Sequence, residues 1–165
     1  SMVVPFQMVM FTLSLVADRT GLRTPWGIII IYLGFGAGLA VFMFCGFVKS
    51  IPIEIEEAAM IDGCTPIRTF FSVVLPIMKP AVAVQAIFTF VGSWNNYFVP
   101  ALIIQSKSKM TVPILIATLR GADYMNFDMG KIYMMITVAI VPIIIVYLLL
   151  SKYIIAGVTL GGVKE

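Results

Sequence analysis

Two long stretches without a charged residue constrain this chain more than any other feature. Residues 26 to 48 (WGIIIIYLGFGAGLAVFMFCGFV) and 132 to 150 (IYMMITVAIVPIIIVYLLL) contain no Asp, Glu, Lys or Arg. The hydrocarbon core of a bilayer is about 30 Å thick, so a helix rising about 1.5 Å per residue crosses it with roughly 20 apolar residues. Both stretches are therefore predicted to be transmembrane helices.

The composition of the whole chain also indicates a membrane protein. It is 61% hydrophobic and only 12% charged, a balance that would favour aggregation of an ordinary soluble domain. Two further apolar segments are predicted spans: residues 80 to 104, which lack charge but include Gln85, and residues 2 to 17, which are few for a span. We predict an all-α membrane protein with about four transmembrane helices, at about 2–17, 26–48, 80–104 and 132–150.

The sequence predicts neither catalysis nor metal binding. It has no histidine, and its two cysteines, Cys45 and Cys64, are too few for a disulfide framework or a metal site. It has no G-x-x-x-x-G-K-[ST] phosphate loop and no pair of carboxylates within the predicted spans. We therefore expect no enzyme activity, no cofactor and no metal. The net charge of +3 is small and evenly spread, which argues against nucleic-acid binding.

The polar stretch at residues 56 to 81, EEAAMIDGCTPIRTFFSVVLPIMKPA, stands between these apolar segments. Upstream of it, Pro52 and Glu54 suit the first turn of a helix, where carboxylates complement the positive end of the helix dipole. Gly63 can end that helix in a left-handed conformation, and Thr65-Pro66 can begin another. The pattern predicts two short helices joined at a glycine corner. The residues alone leave open whether this is a docking element or a solvated loop between spans.

A family resemblance narrows that choice. Glu57-Ala58-Ala59, followed after three residues by Gly63, then by Leu75-Pro76 and Pro80-Ala81, resembles the EAA loop of the permease subunits of bacterial ABC importers. The segments GFVKSIPIEIEEAA, FTFVGSWNNYFVPAL, TVPILIATLRG and AGVTLGGVKE resemble the carbohydrate permeases of the maltose type, specifically the smaller of the two permease subunits. The resemblance covers essentially the whole chain. Because family members have about six spans, we expect the C-terminal part of such a permease, lacking the two N-terminal spans.

The resemblance implies a mechanical role for the loop at about residues 51–76. In that family this loop forms a coupling helix, which docks in a cleft of a cytosolic ATPase subunit. ATP is then expected to bind to a separate ATPase dimer, and the other implied partners are a second permease subunit and an extracytoplasmic solute-binding protein. The residues expected to form the coupling site are Glu54, Glu57, Ala58, Ala59, Asp62 and Gly63.

The resemblance also implies an orientation, which the balance of Lys and Arg does not provide. The chain is expected to be a multi-pass protein of the bacterial inner membrane, with the coupling loop and residues 151–165 in the cytoplasm. Residues 18–25 and about 105–131 are then outside. Within the latter, the segment 111–119 is too short to span and is predicted to be an interfacial or re-entrant helix.

The third predicted span contains the candidate substrate pathway, formed by Phe90, Trp94, Asn95 and Asn96. Aromatic faces stack on the C–H faces of sugars, and amides donate to and accept from sugar hydroxyls. The same residues also fit an interfacial aromatic anchor whose amides bond between helices. Asn95 and Asn96 lie about 100° apart on a helix, so we expect one amide to face the pathway and the other to bond a neighbouring helix. A local helix break is predicted near Gly92 and Ser93, which are weak helix formers.

The function implied by the resemblance is that of a permease subunit that forms part of the pathway for a sugar and couples it to a cytosolic ATPase. Two alternatives stay open. In the first, the chain is a permease for a sugar phosphate or a polyol. In the second, it is a membrane anchor that recruits a cytosolic partner without translocating anything. The sequence does not identify the solute.

Overall fold

The computed structural model describes residues 4–121 and 128–161, and every regular element in these ranges is helical. This confirms the all-α prediction. A π-helical segment, Phe70–Val74, joins two of the α-helices, and a single 3-10 turn lies at Lys107–Lys109. The α-helices are α1 Phe6–Arg19, α2 Pro25–Val48, α3 Ile53–Ile61, α4 Pro66–Thr69, α5 Leu75–Ile77, α6 Lys79–Trp94, α7 Phe98–Ile103, α8 Val112–Gly121 and α9 Met129–Gly161.

Two helices in the described ranges are long and apolar enough to cross a membrane on their own. They are α2 and the part of α9 from Met129 to Lys152. A third candidate consists of two arms, Pro66–Ile77 and Lys79–Trp94, which meet at an angle of 70°. Helix α1 has 14 residues, fewer than the roughly 20 that a perpendicular span requires. By length and composition, the described residues thus contain two or three spans, against the four that the sequence predicted.

The predicted span at 80–104 is divided. Helix α6 continues through Gly92 and Ser93 and ends at Trp94, and α7 begins four residues later, at Phe98. The break therefore follows the two weak helix formers instead of falling on them. Asn96 accounts for its position, because its side-chain Oδ1 accepts a hydrogen bond from the backbone N–H of Val99 at 3.1 Å. This bond stabilises a new helix start in place of continued helix.

The chain divides into two compact units. The first comprises Ser1–Gly38 and Phe90–Ile145, and the second comprises Leu39–Thr89 and Val146–Glu165. The core of the first unit consists of five buried apolar residues from α1, α2 and α7, namely Ala17, Ile28, Ile31, Val99 and Ile103. Helices α1 and α7 pack against each other, so residues far apart in the sequence meet in this core.

The turn between α1 and α2 is closely packed. The backbone N–H of Leu22 donates to the carbonyl of Ala17 at 2.8 Å, which folds the chain back on α1. Gly27 lies so near this turn that a Cβ atom there would overlap the carbonyl oxygen of Leu22. Arg23 donates to Asp18 at 3.1 Å and to Ser14 at 2.9 Å, which ties the turn to α1. The start of α2 thus depends on a residue without a side chain.

Candidate functional site

The predicted coupling loop begins with helix α3, whose start is fixed by local chemistry. Pro52 lies immediately before the first helical residue, Ile53, so its missing N–H removes no helix hydrogen bond. Glu54 and Glu56 lie in the first turn, where their carboxylates complement the positive end of the helix dipole. The predicted helix is therefore present, with proline one position before its first turn.

The glycine corner at the end of α3 is confirmed. Gly63 has a φ of +83°, in the left-handed region that favours glycine. Its N–H donates to the carbonyl of Met60 at 3.0 Å, and the N–H of Cys64 donates to the carbonyl of Ala59 at 3.0 Å. These two bonds form a Schellman motif, which satisfies carbonyl groups that the helix end would leave unpaired.

The second short helix starts as predicted and then changes its winding. Thr65 caps α4 by accepting from the N–H of Arg68 at 3.4 Å, and Pro66 is the first helical residue. The next five residues, Phe70–Val74, are π-helical, and α5 follows without a break. A π-turn has an i→i+5 hydrogen bond, so it contains one more residue than an α-turn. Nothing in the residue pattern had indicated this wider turn.

The six predicted coupling residues lie in α3 and in the corner that follows it, but they have different surroundings. Ala59 is only 8% exposed, because α3 packs against α4 and the π-helical segment. Ala59 therefore fixes α3 to its own loop and is not available for contact with a partner. The exposed residues are Glu54, Glu57, Ala58, Asp62 and Gly63.

Sequence reasoning missed two large apolar side chains beside the glycine corner. Ile61 is 86% exposed and Ile67 is 73% exposed. Ile61 ends α3 and Ile67 lies in α4, and no pattern in the sequence had marked either residue as exposed. They give the exposed side of the coupling loop an apolar part in addition to its carboxylates.

The first unit contains a cavity of about 360 Å³ near the end of α6. Two of the four predicted pathway residues, Trp94 and Asn95, line it. The remaining walls come from α8, which is a short helix as predicted, and from α9. The lining residues of these two helices are Val112, Pro113, Ile116, Ala117 and Arg120, with Ile136, Ala139, Ile140 and Ile143.

Trp94 is held in place from two directions. Its indole Nε1–H donates to the carbonyl oxygen of Ala139 at 3.0 Å, across 45 residues of sequence. Its ring stacks on Phe90 with a centroid distance of 5.7 Å and an interplanar angle of 16°. Phe90 thus supports the cavity through Trp94. Pro142 lies three residues beyond Ala139, and its missing N–H removes the α9 ladder bond to the carbonyl of Val138, the residue before Ala139.

The two adjacent asparagines have different roles in the fold. Asn95 is exposed and lines the cavity, whereas Asn96, one residue before the N-cap Tyr97, accepts from the N–H of Val99 in the first turn of α7. We expected the second amide to bond a neighbouring helix, but it makes a local bond to the start of α7, within the segment predicted as one span. The cation of the cavity, Arg120, was not singled out, because only the folded chain brings the end of α8 near Trp94.

The apolar spans and the exposed helical loop define an all-α, multi-pass membrane protein. Residues 1–159 match the family described as "Binding-protein-dependent transport system inner membrane component". The chain belongs to this family, which confirms the resemblance to permeases and the membrane location.

Several curated relatives are named as sugar permeases. The chain is 32% identical to the probable starch degradation products transport system permease protein AmyC of Thermoanaerobacterium thermosulfurigenes, over 100% of this chain and 60% of that protein. It is 36% identical to the multiple sugar-binding transport system permease protein MsmG of Streptococcus mutans, over 98% of this chain and 58% of that protein. It is 34% identical to the arabinooligosaccharides transport system permease protein AraQ of Bacillus subtilis, over 99% of this chain and 57% of that protein. The chain thus spans less than two thirds of the length of these relatives.

Proposed function

We propose that this chain forms part of the translocation pathway of an ATP-driven importer of oligosaccharides or related carbohydrates. The observation that supports this most strongly is the family match over residues 1–159, together with relatives at 32–36% identity whose names specify sugars. The proposed partners are a second permease subunit, a cytosolic ATPase dimer that binds ATP, and an extracytoplasmic solute-binding protein.

The cavity beside Trp94 is the proposed sugar contact in this chain. Its volume of about 360 Å³ lies near the lower end of the range for small-ligand pockets, roughly 300–1,000 Å³. Its walls are mainly apolar, and the Asn95 amide and Arg120 guanidinium supply the donors and the amide acceptor that sugar hydroxyls require. This chemistry suits one part of a carbohydrate, with the remainder contacting the second permease.

The loop from α3 to α5 is the proposed coupling element. Its exposed carboxylates, Glu54, Glu57 and Asp62, suit charge-assisted hydrogen bonds with basic residues of an ATPase. Helix α3 packs against the run at Pro66–Ile77, which leads directly into α6. A displacement of α3 by the ATPase would therefore move the element that enters the membrane.

A sugar phosphate is the second candidate solute, and Arg120 is the observation that favours it. A guanidinium can bind a phosphate through two parallel hydrogen bonds. Arg120 is exposed, and it lines the same cavity as Trp94 and Asn95. Competition for uptake separates the two solutes: a neutral oligosaccharide that outcompetes its phosphorylated counterpart supports the first proposal, and the reverse order supports the second.

The test of the function is uptake by proteoliposomes containing the chain, the second permease, the ATPase and the binding protein. We expect ATP-dependent accumulation of a radiolabelled oligosaccharide in the complete complex. Proteoliposomes with this chain alone should neither accumulate sugar nor hydrolyse ATP. Uptake by the chain alone would refute a shared pathway. A complete complex that hydrolyses ATP without importing any carbohydrate or sugar phosphate would refute the proposed solute class.

A further inference from the structure

The second unit has a large apolar groove where the chain turns into α6. The groove encloses about 610 Å³ and is lined mainly by apolar side chains. Phe71 and Val82 are 61% and 40% exposed, so the described residues cover little of this surface. Among the described residues that line the groove, Lys79 has the single charge.

Lys79 occupies a particular place in the fold. It is the first residue of α6 and follows the 70° angle between Pro66–Ile77 and α6. Within the part of the chain that the structure describes, its ammonium group pairs with no carboxylate. One end of the groove thus has an exposed cation that no carboxylate of the described residues neutralises.

A second groove in the same unit repeats this chemistry. It encloses about 400 Å³ and shares Leu75 and Val82 with the first groove. Its lining residues are again apolar, apart from Lys49 at the end of α2. Two neighbouring grooves therefore each combine an apolar surface with one lysine.

We propose that the Lys79 groove binds an anionic phospholipid of the phosphatidylglycerol type. The acyl chain lies on the apolar wall, and the ammonium group of Lys79 contacts the phosphate. Basic pockets beside membrane helices bind anionic head groups in this way, and each lysine near such a surface strengthens binding about fivefold. A zwitterionic lipid has no net negative charge, so Lys79 should bind it more weakly than an anionic lipid. This inference depends on the membrane location of the chain and not on sugar transport.

The test is competitive lipid retention measured by native mass spectrometry. The purified chain is equilibrated in mixed micelles with equal amounts of phosphatidylglycerol and phosphatidylcholine, and the bound lipids are counted. We expect the wild-type chain to retain more phosphatidylglycerol. In a Lys49→Gln background, which removes the cation of the second groove, Lys79→Gln should lower that retention about fivefold and leave phosphatidylcholine unchanged. Higher ionic strength should weaken phosphatidylglycerol binding in the wild-type chain more than in this variant.

Two further variants separate the charge of Lys79 from the shape of the groove. Lys109→Gln removes the same charge from a residue outside both grooves and should leave lipid retention unchanged. Ala86→Phe, at an exposed lining position, should fill part of the groove and lower retention of both lipids. Equal retention of the two lipids by the wild-type chain, or equal losses in Lys79→Gln and Lys109→Gln, would overturn the proposal. Unchanged lipid retention in a folded Ala86→Phe variant would do the same.

Discussion

The coupling loop and the core of the first unit are stabilised in different ways. In the loop, the helix starts and ends at Thr65 and Gly63 are set by hydrogen bonds between residues a few positions apart. In the core, Ala17 and Ile28 meet Ile103, which is more than seventy positions away in the sequence. The loop is therefore specified by the order of its residues, whereas the core is specified by which helices come together.

This difference appears most clearly in two glycines. Gly63 has open space where a side chain would lie, but its φ of +83° disfavours other residues. Gly27 has a helical conformation that any residue adopts, but no space for a Cβ atom. The first glycine is required by backbone conformation and the second by packing, and substitutions can separate the two requirements.

The largest effect is expected from Gly27→Ala. The added methyl group would overlap backbone atoms of Leu22, and backbone atoms cannot move aside as the end of a flexible side chain can. We expect a loss of about 3 kcal/mol or more in the free energy of unfolding, in the upper range for overpacking. Titration with SDS of the purified chain, followed by circular dichroism, measures this loss. The matched control is Gly34→Ala in the same helix, where nothing lies within 4 Å and alanine should be slightly stabilising. Similar stability of the two variants would show that the turn adapts freely.

A smaller effect is expected from Gly63→Val. A β-branched residue in the left-handed region costs about 1–2 kcal/mol, and the strain should displace the end of α3. In the complete transporter, we expect this variant to hydrolyse ATP with less sugar imported per ATP, or to release the ATPase. Gly63→Asn is the control, because asparagine tolerates this conformation better. Wild-type uptake and assembly in the valine variant would remove the corner from the coupling mechanism.

The two asparagines near the cavity provide a finer comparison. Asn96→Ala removes the acceptor of the Val99 N–H at the start of α7 and should cost about 1 kcal/mol of stability, whereas Asn96→Asp keeps the acceptor and most of that stability. Asn95→Ala should leave stability unchanged and weaken sugar uptake, because Asn95 lines the cavity. Unfolding in detergent and uptake kinetics of the complete transporter measure the two effects. If neither variant changes its expected property, this segment is an interfacial anchor, and the sugar is bound by the partner permease.

The smallest effect is expected from Asp128, just before α9. The backbone N–H of Lys131 donates to its Oδ1 at 3.1 Å and lowers the pKa of the carboxyl, with help from the Lys131 ammonium group 3.3 Å from Oδ2. A lowered pKa contributes stability above the unfolded-state value, about 3.9, and this contribution is lost as the pH falls below it. We therefore expect the unfolding midpoint of the wild-type chain to fall slightly more between pH 7 and pH 3 than that of Asp128→Asn. Equal shifts in the two proteins would contradict a role for the carboxylate charge.

The same contrast explains how much of the structure the sequence could predict. Charge-free length indicated α2 and α9, and local chemistry indicated the corner at Gly63 and the restart at Thr65-Pro66, because each depends on residues a few positions apart. Local chemistry did not predict the position of the break after Trp94. Gly92 and Ser93, the weak helix formers, lie inside α6, and the break comes where Asn96 bonds the start of α7. Arg120 was missed because its place beside Trp94 depends on long-range packing. The burial of Ala59 was missed for a similar reason, since it depends on how α3 packs on the following segments.

The anchoring of Trp94 has a practical consequence for experiments on this chain. The protein has two tryptophans, and the other, Trp26, is 79% exposed in the structure. Replacing Trp26 with phenylalanine would leave one intrinsic fluorophore, located in the wall of the cavity. Indole emission depends on the polarity and hydrogen bonding of the ring. The emission spectrum of Trp94 would therefore report both entry of the proposed sugar into this cavity and separation of the indole from Ala139, without any attached label.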